Sequence, residues 1–320
     1  MAGFRHSSDF ESAGTRCDAW LFRPTRGEDP PVVVMAHGLA GEKPWRLPAL
    51  ARRFARRGLA VLLFDYRGFG DSDGDPRYLV DVQRQVEDWD AAVEHAESLD
   101  SVGDQVALWG TSLSAGHAVT VAARRDVDAL ALQIPFLDGR AQATLRIKQG
   151  GPGWALRAGL AGLRDRFRTA TFRGPNYVPV VADPGEFAAL DSPGAKVGYE
   201  AIVPDADWPN RVAARVFLQV PFYRPISAAD EVECPTLVIE AEEDEVVPSG
   251  PVDDLVETLP DVERVRYEMG HFDAYLQPAF DRVVERQADF LARHLGTTAE
   301  PERPEGPPER EPSVVDHRHA

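Results

Sequence analysis

The feature that most constrains the fold is a repeated alternation of short apolar runs with segments of helical spacing. Runs that are apolar at every position indicate strands buried on both faces, which is typical of parallel sheets. Because parallel neighbours need a crossover, usually a helix, the pattern predicts an α/β fold with a mostly parallel central sheet and helices on both faces. The first four predicted strands are PVVVMAHG at 31–38, LAVLLFDYRG at 59–68, QVALWG at 105–110 and VDALALQI at 127–134.

The order of these segments divides the chain into a core, an insertion and a tail. Two stretches around an SAGT turn, 4–10 and 15–23, predict an N-terminal antiparallel hairpin. Further strands are predicted at 236–242 and 262–268, and helices near 78–98, 113–125, 154–168 and 276–295. The predicted boundaries are 1–137 for the first part of the core, 138–222 for an inserted cap or lid, 223–298 for the second part of the core and 299–320 for a disordered tail rich in proline and charge.

The charge balance excludes one large class of partners. The chain has 52 acidic and 35 basic residues and a formal net charge of −17, whereas nucleic-acid binding needs an excess of Lys and Arg for phosphate contacts. The few lysines and many acidic residues are typical of a salt-adapted or high-GC organism. The two cysteines, Cys17 and Cys234, form no CxxC pair, so no disulfide framework is expected.

The sequence predicts a cytoplasmic protein with no membrane partner. No apolar run approaches the roughly 18 residues that are needed to span a bilayer. The N-terminal segment carries charges where a signal peptide needs an apolar centre.

The third strand leads into GTSLSAGH at 110–117, which combines a strand, a tight turn and a helix with a Gly-x-Ser sequence. This is the context of a nucleophile elbow, where the positions two before and two after the serine must be small. Gly110 and Ser114 meet that requirement around Ser112, although a second glycine is usual at 114. A register with Ser114 as the nucleophile stays open, since Ser112 and Gly116 flank it, and so does a serine that only caps the helix. We favour Ser112, because it lies only two residues beyond Gly110, which ends the strand. Ser112 would then lie at the helix N-terminus, where the dipole favours a developing negative charge.

The loop after the first buried parallel strand reads HGLAG at 37–41. An oxyanion hole needs two backbone N–H groups that point at one position. Leu113, the residue after the nucleophile, is expected to supply one, and Leu39 is expected to supply the other. Gly38 allows the backbone to approach a substrate closely. No other ligand stands near His37, so we expect its ring to form a structural hydrogen bond rather than to bind a metal.

An acid and a base follow in the order Ser, Asp, His that this architecture uses. The strand and acidic loop PTLVIEAEEDEVVP, 235–248, place Asp244 where a carboxylate projects toward the serine. The loop is also a run of acidic residues, which is ordinarily solvated, and Asp138 after the fourth strand is the alternative acid. MGHFDAY, 269–275, places His271 in a loop between the last strand and the last helix, which suits a general base.

The sequence resembles the α/β-hydrolase superfamily. Five of its motifs occur in the order of that fold: HGLAG, DYRGFGDSDG, GTSLSAGH, AEEDEVVP and GHFDAY. The set is similar to dipeptidyl-peptidase-like and acetylxylan-esterase-like hydrolases of bacteria and archaea and to the related fungal polyketide-transferase branch. The likeness spans about residues 30–295 and is specific to the fold, not to a substrate. By this resemblance the site residues are Ser112 as nucleophile, Asp244 as acid, His271 as base, and Leu39 and Leu113 as oxyanion donors.

Two residues depart from the family pattern, Ala241 before the acidic loop and Ser114 in the elbow, where glycine is frequent in both cases. Both replacements are small, so we expect the geometry to survive. Asp65, in DYRGFGDSDG, is expected to shape the adjoining loop rather than to act as the catalytic acid.

The expected function is hydrolysis of an acyl ester, thioester or amide of a small substrate through an acyl-enzyme. A serine nucleophile argues against the haloalkane dehalogenases and epoxide hydrolases of this fold, which use a carboxylate. No metal or organic cofactor is expected. An acyltransferase with the same triad and a non-catalytic ligand-binding relative are the alternatives, because the fold does not fix the function.

The predicted insertion contains a strongly basic stretch. Eight basic residues and one acid, Asp165, lie between 140 and 173. They either pair with the acidic body or attract an anionic acyl substrate. Aromatic residues of the insertion are candidates for an apolar acyl pocket or for core packing. The basic residues are Arg140, Arg146, Lys148, Arg157, Arg164, Arg166, Arg168 and Arg173, and the aromatic residues are Trp154, Phe167, Phe172, Tyr177 and Trp208.

Overall fold

The structure is a computed structural model, which describes residues 5–25, 27–204 and 208–297. The predicted tail, 299–320, lies outside the described residues. The strands are β1 (Arg5–Ser7), β2 (Phe10–Ser12), β3 (Thr15–Cys17), β4 (Ala19–Phe22), β5 (Val32–Ala36), β6 (Ala60–Phe64), β7 (Val106–Thr111), β8 (Ala129–Gln133), β9 (Tyr177–Val178), β10 (Val212–Ala213), β11 (Thr236–Ala241) and β12 (Val262–Tyr267). The α-helices are α1 (Leu47–Arg56), α2 (Val82–Glu97), α3 (Leu113–Ala122), α4 (Gly139–Ala170), α5 (Ala195–Ile202), α6 (Val216–Gln219), α7 (Gly250–Thr258) and α8 (Ala279–His294), and 3₁₀ helices span Val220–Phe222, Pro225–Glu231 and Asp273–Tyr275.

One sheet of eight strands forms the centre, in the order β1-β4-β6-β5-β7-β8-β11-β12. From β6 to β12 all neighbouring strands run parallel. Every residue of β5, β6, β7, β8 and β11 is buried, so both faces of the sheet are covered. Helix α1 packs against α8, and α2 packs against α3. The prediction of a mostly parallel sheet with flanking helices is therefore confirmed.

The N-terminal hairpin is also confirmed. Strands β2 and β3 pair antiparallel around the predicted turn, in which Ala13 and Gly14 adopt φ values of 45° and 76°. The flanking strands β1 and β4 pair with each other, and β4 pairs antiparallel with β6. The hairpin thereby extends the parallel sheet at one edge.

Parallel pairing explains why distant motifs meet. The carboxyl ends of β5, β7, β11 and β12 lie at the same edge of the sheet, because these strands run in the same direction. The loops that follow those ends contain HGLAG, Ser112, Asp244 and His271. This edge is where ligands bind in open α/β sheets.

After β8 the chain leaves the sheet and rejoins it at β11. The predicted helix near 154–168 is too short, because α4 begins at Gly139 and continues through the GGPG sequence. Gly151 takes a left-handed φ of 73°, and Pro152 then starts the second half of the helix. The sequence GGPG is therefore a kink between two helical halves and not a loop. The role of this segment as a cap stays a prediction.

Candidate active site

Ser112 occupies the sharp turn between β7 and α3. Its φ of 52° and ψ of −122° are unusual for a residue with a side chain. Three backbone hydrogen bonds hold it: its amide donates to Gln133 at 2.9 Å, and its carbonyl accepts from Ala115 at 3.1 Å and Phe136 at 3.0 Å. The surrounding backbone therefore fixes the conformation that projects this side chain from the sheet edge.

The neighbours of Ser112 are small because the turn leaves no space. A Cβ on Gly110 would lie 2.5 Å from the carbonyl oxygen of Ser114 and 2.7 Å from the Cα of Ala115. Ser114 is fully buried, and its hydroxyl donates to the carbonyl of Ala36 at 2.9 Å. Since the Ser114 hydroxyl is bonded inside the core, this geometry favours Ser112 over the alternative register.

His271 and Asp244 form a direct pair. Nδ1 of His271 lies 2.7 Å from Oδ2 of Asp244, and it must be the donor because a carboxylate can only accept. The other oxygen of Asp244 accepts from the amides of Val246 at 2.7 Å and Val247 at 2.9 Å. With Nδ1 protonated, Nε2 of the neutral imidazole is left as an acceptor.

The environment of Asp244 keeps it ionised. Burial alone would raise the pKa of this carboxyl, but the charge and hydrogen bond of His271 and the two amides outweigh burial and lower the pKa. The alternative acid, Asp138, is used elsewhere. One of its oxygens caps α4 through the amides of Arg140 and Ala141, and the other accepts from Arg224 at 2.7 Å.

The expected oxyanion donors lie beside Ser112. Leu113 is the first residue of α3, so its amide has no intrahelical acceptor. Leu39 follows β5, and its carbonyl accepts from the hydroxyl of Tyr199 at 2.9 Å, which fixes the loop. A Cβ on Gly38 would lie 3.3 Å from the Cβ of Ser112, so a glycine lets this loop approach the serine closely.

A buried ionic cluster beneath this loop was missed by the sequence analysis. Lys43 is fully buried, and its Nζ lies 2.7 Å from Asp65 and 2.5 Å from Asp18. Burial opposes the charge of Lys43, but the carboxylates outweigh burial and raise its pKa. The Lys43 amide also donates to Asp65 at 2.6 Å, so this carboxylate anchors the loop, as expected for a structural role. The expected hydrogen bond of His37 is present: its Nδ1 lies 3.0 Å from the carbonyl oxygen of Gly38.

Two cavities meet at Ser112 and Leu39. The larger, about 230 Å³, has almost entirely apolar walls, including Phe136, Trp154 and Phe217. The smaller, about 50 Å³, is lined by His271 and by residues of HGLAG. Both cavities border Ser112, so the serine lies where an apolar cavity meets the cavity that His271 lines.

Comparison with known proteins decides the family. A family model described as serine aminopeptidase, S33, matches residues 27–173. The quorum-quenching protein AidA of Acinetobacter baumannii (strain MDR-ZJ06) is 39% identical over 287 residues, which cover 89% of this chain and 93% of AidA. The chain belongs to the α/β-hydrolase superfamily.

Other members of the superfamily support this assignment. The polyketide transferase af380 of Aspergillus fumigatus is 27% identical to this chain over 286 residues, covering 86% of this chain and 93% of that protein. The crystal structure of the α/β hydrolase GrgF from Penicillium sp. sh18 superposes with a TM-score of 0.77 at 23% identity, covering 92% of this chain and 99% of GrgF. The structural likeness shows a shared fold, and the fungal branch is one of the groups that the sequence motifs indicated.

Most of the basic stretch is exposed and unpaired in the described part of the chain, so the expected pairing with the acidic body is found at one residue, and the attraction of an anionic substrate stays a prediction. Among the described residues, Arg146 is the one member of the stretch with an ion pair, which it makes with Asp191, and also the one that lines the larger cavity. Arg164 and Arg166 are exposed. Asp165 is buried and accepts from Arg215 at 2.5 Å. Most of these cations therefore face solvent, neither paired with the body nor directed into the pocket.

The aromatic residues of the insertion are likewise divided. Trp154 lines the larger cavity, and Trp208 packs against Trp45 with ring centroids 5.4 Å apart. Phe167 and Phe172 were candidates for the acyl pocket, but they lie on the outer surface. The walls of the larger cavity include side chains that the sequence analysis did not single out, such as Phe136.

Within the described ranges, the protein contains no group of three or more His, Cys, Asp or Glu side chains that could hold a metal ion. None of its described helices has the length and apolar character needed to cross a membrane.

Proposed function

We propose that this protein is a serine hydrolase that cleaves the ester, thioester or amide bond of a small substrate with an apolar acyl group. The observation that carries the proposal is the position of Ser112 between an apolar cavity and a cavity lined by His271, which is itself bonded to Asp244. The larger cavity would hold the acyl chain, since burying apolar surface there is favourable.

Each group in the site has one part in the reaction. Ser112 Oγ attacks the acyl carbonyl, and His271 Nε2 takes the hydroxyl proton while Asp244 stabilises the imidazolium. The amides of Leu39 and Leu113 donate to the oxyanion. His271 then gives its proton to the leaving group, which departs and leaves Ser112 acylated. A water molecule then attacks the acyl carbonyl while His271 Nε2 takes its proton. His271 returns this proton to Ser112 Oγ as the bond between Oγ and the acyl carbon breaks, which releases the carboxylic acid and restores the enzyme.

Acyl transfer is the second candidate function, and the name of the relative af380, a polyketide transferase, favours it. The acyl-enzyme is the same in both reactions, and the outcome depends on whether water or another nucleophile attacks it. Product analysis with an added alcohol or amine separates the two. A non-catalytic ligand-binding relative is disfavoured, because binding a ligand does not require a bonded His271–Asp244 pair at the cavity that Ser112 also lines.

The test is labelling with a fluorophosphonate probe at low and high salt, followed by mapping of the modified peptide. Wild type and Ser114→Ala should be labelled on Ser112, and Ser112→Ala should not. The Ser114 variant is a matched control, because it loses a buried hydrogen bond worth about 1 kcal/mol but no nucleophile. Labelling lost only in Ser114→Ala would contradict the proposed register, and no labelling of folded wild type at either salt would contradict the proposed function.

A further inference from the structure

The second half of α4 carries an apolar stripe on its outer face. Leu156, Leu160, Leu163 and Phe167 are 58% to 66% exposed, and Phe172 just after the helix is 98% exposed. The four helical residues follow the spacing i, i+4, i+7 and i+11, so their side chains form one line along the helix. Contiguous exposed apolar residues of this kind mark an interaction surface.

The stripe does not belong to the face that holds α4 on the protein. That face is on the opposite side of the helix, where Ala158 and Asp165 are buried. Asp165 accepts from the amides of Asn176 at 2.6 Å and Arg215 at 3.1 Å. The helix is anchored through these contacts, and within the described part of the chain the four stripe residues neither belong to the hydrophobic core nor pack against it.

Arginines border the stripe on both sides. At 100° per residue, Arg157 and Arg164 lie on one side of it and Arg166 lies on the other. In the described ranges, neither Arg164 nor Arg166 forms an ion pair, and both are exposed. Leu and Phe between rims of arginine are the composition of helices that lie in the interface of a membrane.

The charges decide between two occupants of this face. A second copy docked through the same face would bring two arginine rims together, and the one acid between 140 and 173, Asp165, is buried and paired. An anionic phospholipid surface instead offers negative charge to the rims and an acyl boundary to the stripe.

We infer that the outer face of α4, residues 156–172, binds the surface of a bilayer that contains anionic phospholipid. The protein lies on the membrane and does not span it, in contrast to the sequence-based prediction of no membrane partner, which rested on the lack of a spanning segment. Because the chain as a whole has a charge of −17 and fields decay over about 8 Å at physiological salt, the attraction acts only when the arginines contact the surface. This binding requires no turnover and is independent of the proposed function.

The test is co-sedimentation of the full chain with vesicles of phosphatidylcholine alone or mixed with phosphatidylglycerol. Wild type should bind the mixed vesicles, and more weakly as salt rises. Arg164→Gln/Arg166→Gln should lower the partition coefficient roughly 30-fold, about fivefold for each arginine near an anionic surface. Leu160→Ser, Leu163→Ser and Phe167→Ser should each lower it by about tenfold.

Matched controls come from other surfaces. Val197→Ser removes an exposed apolar side chain of α5, and Arg52→Gln/Arg56→Gln removes two exposed arginines of α1. These variants should bind like wild type. Lack of binding by folded wild type, or equal loss in the controls, would overturn the inference. A dimer in sedimentation velocity that Leu163→Ser dissociates would also overturn it, because the face would then join two copies of the chain.

Discussion

Replacing Asp244 with Asn tests the proposed acid more sharply than any other single change. Asp244 Oδ1 accepts from the amides of Val246 and Val247, so the carbonyl oxygen of an asparagine is expected to keep that position. The NH₂ group of the asparagine then faces His271 Nδ1, across what is now a 2.7 Å hydrogen bond. Two donors cannot share that contact, so the imidazole must carry its proton on Nε2 instead. In that tautomer His271 cannot accept the proton of Ser112.

The expected loss is large because the variant removes two effects at once. It reverses the tautomer of His271 and removes the charge that stabilises the imidazolium. A wrong tautomer with little change of geometry costs about 10⁴-fold in kcat in a triad of this kind, or about 5 kcal/mol of activation free energy. Asp138→Asn is the matched control, because Asp138 also accepts from two backbone amides after a strand of the sheet but bonds to Arg224 instead of His271.

The assay is steady-state hydrolysis of a chromogenic ester, with fluorophosphonate labelling as a second measure of Ser112 reactivity. Asp138→Asn should keep kcat/KM within about threefold, since its loss concerns a helix cap and a part-exposed ion pair. If folded Asp244→Asn kept its activity within about tenfold of wild type, Asp244 would not be the acid that orients His271 and stabilises its imidazolium.

The same variant has a consequence for stability at low pH. The pKa of Asp244 in the folded state is lowered from the ordinary value of 3.8, so its ionised form stabilises the fold above that value. This contribution to the free energy of unfolding falls as the pH decreases from 3.8, the ordinary pKa, through the lower pKa of the folded state. The free energy of unfolding of Asp244→Asn should therefore depend less on pH below about 4 than that of wild type, as urea denaturation at a series of pH values would show.

Three other substitutions test the supports of the site. Gly110→Ala places a Cβ 2.5 to 2.8 Å from backbone atoms of the elbow, so we expect at least roughly 100-fold lower kcat/KM, and unchanged activity would contradict the required glycine. Lys43→Met leaves the buried Asp65 without its cation and should lower the free energy of unfolding by about 3 to 5 kcal/mol, with partial recovery in Lys43→Met/Asp65→Asn; a smaller loss would show that the cluster is solvated. Ala155→Phe narrows the larger cavity and should lower kcat/KM for long acyl esters by roughly tenfold or more but spare acetyl esters, and equal effects on both would place the acyl chain elsewhere.

The sheet could be predicted from the sequence because parallel strands covered on both faces leave continuous apolar runs. The sequence could favour Ser112 over Ser114 as the nucleophile but could not decide between them. The choice depends on where the backbone directs each side chain. The structure shows Ser114 bonded to Ala36 inside the core, which neither periodicity nor motif spacing reveals. The acidic run shows the same limit, since Glu242, Glu243 and Glu245 are exposed and Asp244 is the member that turns inward.

Other parts of the site depend on contacts between residues far apart in sequence. The hydroxyl of Tyr275 bonds to that of Thr111, directly before the proposed nucleophile, across more than 160 positions. In the sequence alone, nothing distinguishes Lys43 from a surface lysine, because its two carboxylate partners, Asp18 and Asp65, lie more than 20 positions away. Long-range pairs of this kind leave no local signal, although the position of Lys43 two residues after HGLAG and of Tyr275 in GHFDAY could have singled them out.

Helix α4 connects the two proposals, because the first assigns its inner face to an acyl chain and the second assigns its outer face to a membrane surface. Ala155 and Ala158 line the apolar cavity, whereas Arg164 and Arg166 flank the outer stripe and line neither cavity. If both proposals hold, removing these arginines affects access from a membrane and not the chemistry at Ser112. Arg164→Gln/Arg166→Gln should therefore leave KM unchanged for dissolved esters, anionic or neutral, and slow hydrolysis of an apolar ester dispersed in anionic vesicles. A raised KM for a dissolved anionic ester alone would instead support the attraction of anionic substrates, and would mean that the helix moves to bring these arginines to the cavity.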